Sequence, residues 1–587
     1  MLQRLVLIAI LAFATAFITS KIIFVAAPSN TARAINIEEY KKKSIIRCGP
    51  DWESLKAWLE ETDIPAIPGA GNYKWAISTK NDSAQFYFNQ GINMYYSFHI
   101  IESMASFKKA AKFDPECAML YWAQALAYGP NINDLGYAAS PAALQATQMA
   151  RSLSGKAGKM EKALINAISV RYTADSADAT RAKLNAEYTT MMKAVYERFP
   201  GNADAQALYA DAMMLEHPWD LWHVNGTAKA WTPLIRAVLE KLLLKNPGHP
   251  GANHYYIHVM EPSPYANKAL PSADRLGKLT PGLSHTVHMP SHIYLRTGQY
   301  QKGVTVNENA ANSYKNIIPL YSPVTGNDFL YIIHNLHMQT NNAMMAGLSE
   351  YSTRTALETA QSISADYLAF PAPLGSYVQY LHMTPTLVNV RFGKWDDLLT
   401  AKQPDQKQVY ANILWHFGRG MAFAGQSKLT DAGNELKNMQ ELMKDSSLYI
   451  PFPPFSPAID GAVVAEKLLA GSIALAEKKY SNAIAAFTKA VSTEENMVYN
   501  EPRDWLLNPK HYLGNAYLQA GRPLDAENIF RKDLLNNNEN GWALFGTYQA
   551  LLPQKKNTEA AKMMSRFNKA FTGSDIKIKG AVFDHSP

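Results

Sequence analysis

The sequence predicts an all-α solenoid, in which short helical hairpins stack on one another into a right-handed superhelix. Apolar residues follow a helical period from Ser83 to about Phe571, and no segment shows the sustained alternation that marks a strand. Repeat units appear at both ends of this region. The chain has 587 residues, 47% hydrophobic and 18% charged. Its length favours several domains or a repeat array over one compact core, and its apolar content excludes a disordered protein.

The first repeat matches the 34-residue tetratricopeptide unit. Tyr87, Gly91, Phe107, Ala110 and Pro115 fall at positions 4, 8, 24, 27 and 32 of that unit. Small residues let the two helices of a hairpin approach closely, and the proline stops the second helix. This spacing predicts a tetratricopeptide-like hairpin near the start of the repeat region.

The far end of the chain repeats the pattern. A weaker copy comes first, with Gly471, Ala483, Phe487 and Ala490 at the expected spacing. The next unit places small and aromatic residues at positions 7, 8, 11, 20 and 24, namely Leu513, Gly514, Tyr517, Ala526 and Phe530. Turn residues recur between these ends at short intervals, so the middle is predicted to consist of degenerate hairpins.

The chain is expected to begin with an export signal at residues 1–34. Arg4 precedes an apolar run, Leu5 to Ile18, which is too short to span a membrane comfortably. The alternative is an uncleaved anchor from Leu5 to Ala27, the only part expected to contact a membrane. Both alternatives place the folded part outside the cytoplasm, in the periplasm or otherwise exported.

Four further regions are predicted after the signal. They are a leader at 35–82, an N-terminal repeat region with a histidine-rich site at 83–350, middle hairpins at 351–457, and C-terminal repeats at 458–587. The formal charge of +7 spread over the chain does not favour a nucleic-acid partner. Cys48 and Cys117 are the only cysteines, so one disulfide is an option in an oxidising compartment, as are two free thiols.

Histidines are concentrated in one part of the repeat region. The chain has 15, and eight of them lie within 89 residues: His249, His254, His258, His285, His288, His292, His334 and His337. Imidazole and carboxylate groups are ligands for Zn, Cu or Fe, and they must converge from more than one element to hold an ion. The clustering therefore predicts a transition-metal site.

The spacing of these residues indicates how they would converge. His254, His258 and Glu261 lie at i, i+4 and i+7, on one face of a predicted helix from Gly251 to Glu261 that also carries Asn253. The alternative is an ordinary solvent-facing polar face. Asn253 is a candidate contact for a bound ligand.

The next predicted hairpin carries the second set. It runs from Leu270 to Leu279, turns at Thr280 to Gly282 and returns through Leu283 to Thr297. His285, His288 and His292 flank Pro290, which should break the returning helix. We expect them to face the first set across one pocket, with His334 and His337 completing it from a third helix. Tyr294 and Arg296 follow and are candidates to orient an anionic ligand; packing roles are the alternative.

The segment HYYIHVMEPSPYANKALPSADRLGKLTPGLSHTVHMPSHIYLRTGQY resembles the diagnostic core of a family of exported bacterial tetratricopeptide-repeat proteins. The stretches YFNQGINMYYSF, FDPECAMLYWAQALA, HNLHMQTNNAMM and EPRDWLLNP are similar too. The resemblance implies an architecture and the position of a site, but no activity. Many relatives have Asn-His after the residue matching Phe98, whereas His99 and Ile100 follow here. The resemblance thus makes His99 a candidate in a shifted position.

Three functions remain open at the level of sequence. The first is an exported binding protein that holds a peptide, protein or small molecule in its concave groove, with a metal at the centre. The second is a metal-dependent hydrolase or oxidoreductase using the same cluster, although no HExxH, GxSxG, Walker or GxGxxG motif is present. The third is a plain interaction scaffold whose histidines only pack.

Overall fold

The structure, a computed structural model, describes residues 50–584 except 51, 135, 136, 138, 176, 177, 322–331, 503 and 504. Over these residues the chain forms successive helices and no β-strand, with isolated bridges only between Trp222 and Ala228 and between Phe452 and Phe455. The predicted all-α helical-repeat fold is confirmed.

The first half of the chain contains the elements that carry the histidines. Its helices are α1 (Trp52–Glu61), α2 (Asp82–Tyr96), α3 (Ile100–Phe113), α4 (Ala118–Ala127), α5 (Pro141–Leu153), α6 (Lys159–Ile168), α7 (Arg181–Arg198), α8 (Ala203–Glu216), α9 (Thr232–Lys245), α10 (Pro250–Met260), α11 (Leu270–Leu279), α12 (Ser284–His288), α13 (Pro290–Thr297) and α14 (Tyr300–Ile317).

The second half continues the same pattern of short helices. They are α15 (His334–Met345), α16 (Ser349–Gln361), α17 (Ala365–Leu368), α18 (Leu374–His382), α19 (Thr384–Arg391), α20 (Trp395–Thr400), α21 (Val409–Gly425), α22 (Leu429–Leu442), α23 (Ala458–Ala476), α24 (Tyr480–Asn496), α25 (Pro509–Gln519), α26 (Pro523–Asn536), α27 (Gly541–Leu551) and α28 (Asn557–Ala570). Neighbours in sequence pack extensively on each other, as in α2 with α3, α21 with α22 and α23 with α24.

Glycine and phenylalanine interlock in each repeat that the sequence matches. A Cβ atom added to the glycine would lie closer than 3.0 Å to the phenylalanine ring, so only glycine allows this approach. The phenylalanine follows sixteen residues later and is fully buried in every case. The pairs are Gly91 with Phe107, Gly471 with Phe487, and Gly514 with Phe530.

Two large hydrophobic cores lie within residues 52–321 and residues 333–582. Hydrogen bonds between distant parts of the chain join the two halves. Arg296 Nη1 donates to the carbonyl of Asn536 at 3.1 Å, and Tyr300 Oη donates to that of Asn538 at 2.7 Å. The C-terminal repeats therefore fold back onto the helices that carry the histidines.

The chain after α28 runs back across earlier helices. Asp575 accepts hydrogen bonds from the backbone N–H groups of Ser349 and Glu350, at 2.6 and 2.8 Å, at the start of α16. Further along, Gln519 Nε2 donates to Asp584 at 2.7 Å. The tail thus connects repeats that are far apart in the sequence.

The N-terminal part is described only from residue 50, so the predicted signal peptide and Cys48 lie outside the described residues. Cys117 is buried and free in the structure. The leader contains α1, which the sequence analysis did not predict, and it packs on the repeats: the N–H of Gly282 donates to the carbonyl of Gly69 at 2.8 Å. Within the described part of the chain, none of the helices has both the length and the apolar character that a membrane span requires.

Candidate metal centre

Helix α10 carries the first set of histidines and lies inside the molecule. Pro250 begins the helix at a position where its missing N–H costs nothing, and His249 Nδ1 accepts from the N–H of Ala252 at 3.1 Å. Every residue of α10 is buried. His254 and His258 lie one turn apart and point to the same side of the helix. Because both are buried, this polar face does not meet solvent.

The second set comes from a returning helix that is broken where the sequence predicts. Helix α12 ends at His288 and α13 begins at Pro290, because proline cannot donate the hydrogen bond that would continue α12. Helix α13 ends at Gly298, which has a left-handed φ of 78°. His285 and His288 lie before the break and His292 after it.

Three imidazoles meet at one point, which we call the first cluster: His254, His258 and His285. His254 Nε2 lies 3.1 Å from His258 Nε2 and also 3.1 Å from His285 Nε2. Three nitrogens held at about 2.0 to 2.1 Å from one tetrahedral ion would be about 3.3 Å apart. The two spacings at His254 are close to this value, and the ligand atoms of all three residues lie within 4.8 Å of one another.

Hydrogen bonds at the other ring nitrogen set the orientation of two of these rings. His254 Nδ1 lies 2.7 Å from the carbonyl oxygen of Tyr96, and His258 Nδ1 lies 3.1 Å from Glu261 Oε1. Each partner accepts, so each Nδ1 carries the proton when the ring is neutral and leaves Nε2 as a free lone pair. This is the arrangement that histidine ligands of metal ions adopt.

A second cluster lies beside the first and consists of His288, His292 and His334. His288 Nε2 and His292 Nε2 are 2.7 Å apart, and the ring centroid of His334 lies 4.7 Å from that of His288. One ring nitrogen from each lies within 4.8 Å of one from the other two, as also holds for the first cluster. The structure thus divides the predicted single pocket into two groups of three imidazoles.

Glu261 lies behind the imidazoles and contacts both clusters. Its Oε1 faces His258 Nδ1 at 3.1 Å, and its Oε2 faces His292 Nδ1 at 2.7 Å. It was predicted as a metal ligand, and it belongs to a third group, with His258 and Glu501, whose ligand atoms lie within 4.8 Å of one another. Its contacts with two imidazoles also suit a carboxylate that orients histidines.

Two residues from the C-terminal half complete this site, and the sequence analysis did not identify them. Tyr499 Oη donates to Glu261 Oε2 at 2.8 Å, and Glu501 Oε1 lies 3.4 Å from His258 Nδ1 and 3.6 Å from His292 Nδ1. The only available indication was the EPRDWLLNP stretch, which begins at Glu501 and belongs to the family resemblance. No local spacing links it to the histidines.

The clusters are enclosed. All six histidines and Glu261 expose at most 7% of their surface, and Glu501 exposes 13% of its side chain. The ring of Phe98 stacks on His258 and His285, with centroids 5.9 and 5.6 Å away, and Trp219 meets His258 edge-on at 5.3 Å. The site is therefore enclosed within the protein, whereas the sequence predicted a position in a groove on the concave face.

The electrostatic environment divides the histidines into neutral and charged rings. Burial, reinforced by neighbouring imidazoles, lowers the pKa of four of them well below 6.5: His254, His285, His288 and His334. Burial also opposes charge on His258, but hydrogen bonds to Glu261 and Glu501 outweigh it and raise its pKa to about 9. Against the same burial, the charge of Glu261 raises the pKa of His292.

The pKa values of Glu261 and Glu501 are shifted in opposite directions. Burial tends to raise the pKa of Glu261, but the charge of His292 and hydrogen bonds from His258 and His292 hold it well below 4.5. Burial and the nearby charge of Glu261 raise the pKa of Glu501 to about 7. Glu261 is therefore the ionised member of the pair at neutral pH.

Two further predicted histidines do not join the clusters. His337 lies on α15, but its Nδ1 faces Thr384 Oγ1 at 3.1 Å, and burial lowers its pKa to about 4. His99 is buried beside the first cluster and accepts from the backbone N–H of His285 at 3.5 Å. It therefore supports the start of α12 and contacts the cluster through the backbone.

The other predicted ligand contacts take part in packing and hydrogen bonding. Tyr294 Oη donates to Asp274 at 2.7 Å. Arg296 Nη2 donates to the carbonyl of Ser263 at 3.2 Å. Asn253 Nδ2 donates to the carbonyl of Pro247 at 2.8 Å. The structure brings none of these three polar groups to the Nε2 atoms of the clusters.

No known protein family model matches the chain, and no curated protein sequence is similar to it. Similar solved structures include the human IFIT1 dimer with m7Gppp-AAAA, at 9% identity and a TM-score of 0.29, covering 91% of this chain and 95% of that one. Yeast Tom70 is 11% identical with a TM-score of 0.25, covering 90% and 99%. The APC/C hetero-tetramer Cut9-Hcn1 is 13% identical with a TM-score of 0.26, covering 85% and 80%. Scores this low carry no argument about what this chain does.

Proposed function

We propose that this protein is an exported helical-repeat scaffold that binds a transition metal ion in its buried histidine clusters. One observation carries the proposal: His254 Nε2 lies 3.1 Å from both His258 Nε2 and His285 Nε2.

Hydrogen bonds among the three rings cannot satisfy all three Nε2 atoms. Because the Tyr96 carbonyl holds the proton of His254 on Nδ1, Nε2 has a single lone pair in the ring plane. A protonated His258 would donate to that lone pair, and His285 Nε2 would then face an acceptor that is already occupied. One cation accepts lone pairs from all three nitrogens at once, so a metal resolves the contact.

The ligand set limits the metal. Imidazole nitrogens suit Zn, Cu and Fe, and the first cluster offers no thiolate. When bound, such an ion supplies Lewis acidity or, for Cu and Fe, electron transfer. The chain holds the rings in place through Tyr96 and Glu261, and Phe98 excludes water from one side of the first cluster.

A metal-dependent enzyme is the second candidate. The first cluster provides three imidazoles, and catalytic zinc sites characteristically have three protein ligands and an open fourth position. If an exogenous ligand reaches that position, azide added to the Co²⁺-loaded protein should change its visible spectrum. An unchanged spectrum would leave the binding scaffold as the function.

The proposal is tested by elemental analysis of the full chain purified without a histidine tag. We expect bound metal in the wild type, and we expect His258→Ala to lower both metal content and melting temperature, because an ion bound only to the native state stabilises it. Absence of Zn, Cu and Fe from the wild type, together with no stabilisation when they are added, would contradict the proposal.

The control for this experiment is His223→Ala, because His223 is exposed and lies outside both clusters. His249 also lies outside both clusters, but it is not a suitable control. Its side chain caps α10 and its Nε2 lies 3.4 Å from Asp204. His249→Ala would therefore lower stability by itself, by about 0.5 to 2 kcal/mol for a lost cap.

A further inference from the structure

The second cluster carries an inference that rests on the proposed function and extends it. We infer that the protein holds a pair of metal ions, one in each three-histidine cluster, and that Glu261 is a positioning residue shared by both. The second cluster is a separate group of three buried imidazoles, each with one ring nitrogen within 4.8 Å of those of the other two, as in the first cluster.

The anchors of the second cluster orient its rings inward. His288 Nδ1 lies 2.5 Å from Asn307 Oδ1, and the Asn307 amide is fixed because its Nδ2 donates to the carbonyl of Gly303 at 2.8 Å. His292 Nδ1 lies 2.7 Å from Glu261 Oε2. The hydrogen bond to Asn307 orients the ring of His288, and the Nε2 atoms of His288 and His292 lie 2.7 Å apart.

His334 supplies the third imidazole. Its ring centroid is 4.7 Å from that of His288 and 5.5 Å from that of His292. Its Nε2 is buried and, among the described residues, has no hydrogen-bond partner. A buried nitrogen without a partner is costly, and coordination of an ion would remove that cost.

The two clusters are adjacent and mechanically linked. His285 and His288, one from each cluster, lie on a single turn of α12 with ring centroids 6.1 Å apart. Glu261 contacts His258 with one oxygen and His292 with the other, at 3.1 and 2.7 Å. Its carboxylate is itself held by Tyr499. A displacement of Glu261 would therefore disturb a ring in each cluster.

The first test is stoichiometry. Full-length protein stripped with a chelator is titrated with Cu²⁺, and we expect two ions per chain in the wild type. His285→Ala and His334→Ala should each retain one ion. One ion per wild-type chain would overturn the pair while leaving the proposed function intact, whereas no bound ion would overturn both.

A second measurement needs no variant, so it remains decisive if a buried substitution prevents folding. Two Cu²⁺ ions in adjacent sites interact magnetically. We expect the electron paramagnetic resonance spectrum to broaden and the signal per copper to fall as the second equivalent is added. A signal that doubles with unchanged shape would contradict adjacent sites.

Glu261 is tested with Glu261→Ala, since alanine removes both oxygens, the one that faces His258 Nδ1 and the one that faces His292 Nδ1. We expect affinity to fall at both sites, by roughly 10- to 100-fold, the usual effect of removing such a partner. The matched control is Glu435→Ala, because Glu435 lies outside the clusters and its Oε2 accepts from His416 Nδ1 at a distance of 2.5 Å. Loss of affinity at only one site, or an equal loss in the control, would rule out the shared role.

Discussion

Asp211 on α8 is a buried carboxyl whose titration should be visible in the stability of the whole protein. It is 1% exposed and accepts from Tyr95 Oη at 3.1 Å. Burial raises its pKa from 3.8 to about 6, although Arg171 acts in the opposite direction. Between these values the folded state binds more protons than the unfolded state, so this group's contribution to the free energy of unfolding falls as pH rises.

Asp211→Asn removes this dependence. As the pH rises from 4 to 7, the free energy of unfolding of the variant should increase relative to that of the wild type by up to about 3 kcal/mol. One pKa unit corresponds to about 1.36 kcal/mol. This difference is measured by urea unfolding of both proteins at both pH values. Parallel pH dependences would show that the carboxyl of Asp211 is not perturbed by burial.

Individual residues also show where sequence reasoning stops. The pairs His254 with His258 and His288 with His292 were predictable, because i and i+4 share a helix face. Spacing does not give the direction of each imidazole ring, which depends on the Tyr96 carbonyl for His254. For the same reason the sequence could not show that Glu261 contacts His258 with one oxygen and His292 with the other.

At the scale of the element, the contact between a glycine and a phenylalanine ring holds each matched hairpin together. Gly91→Ala would place a methyl group closer than 3.0 Å to Phe107, which is fully buried and surrounded by core residues. We expect overpacking to lower the free energy of unfolding by about 1 to 3 kcal/mol, as measured by chemical unfolding.

Gly433→Ala is the matched control. Gly433 also lies within a helix, α22, but nothing lies within 4 Å of an added Cβ. Here alanine should stabilise the protein by about 0.5 to 1 kcal/mol, because it lowers the backbone entropy lost on folding. If both variants were more stable than the wild type, helix propensity rather than packing would dominate at Gly91.

Most helices near the site were predictable in position. The predicted helix from Gly251 to Glu261 and the predicted break at Pro290 agree with the structure within a residue or two, since proline cannot continue a helix from within. Helix α1 was missed, although Trp52, Leu55 and Leu59 follow a helical period. Turn-forming prolines and glycines follow this helix, and they favoured the prediction of a leader without helices.

At the scale of the molecule, the C-terminal repeats are part of the site and not only a cap. A chain ending at residue 450 would lose Tyr499 and Glu501 and would expose the core surface that α21 and α22 share with α23. We expect it to be insoluble, or soluble with reduced metal content. A monomeric, well-folded fragment with full metal content would contradict this.

This long-range closure was the least predictable part of the site. A helical period or a proline acts over a few residues, whereas Tyr499 reaches Glu261 across 238 residues of sequence. Such a contact depends on how the whole array curves, which is the sum of many small rotations between repeats. The histidine clusters could therefore be located from the sequence, but the residues that close over them could not.

The same closure sets an order in time. A ribosome adds about 5 to 20 residues per second, so roughly 10 to 40 seconds pass between the synthesis of His292 and that of Tyr499. During that interval the imidazoles exist without the tyrosine and Glu501 that cover Glu261 in the finished protein. The contacts that cover Glu261 can therefore form only after the C-terminal repeats exist, which makes closure of the site a late step in folding.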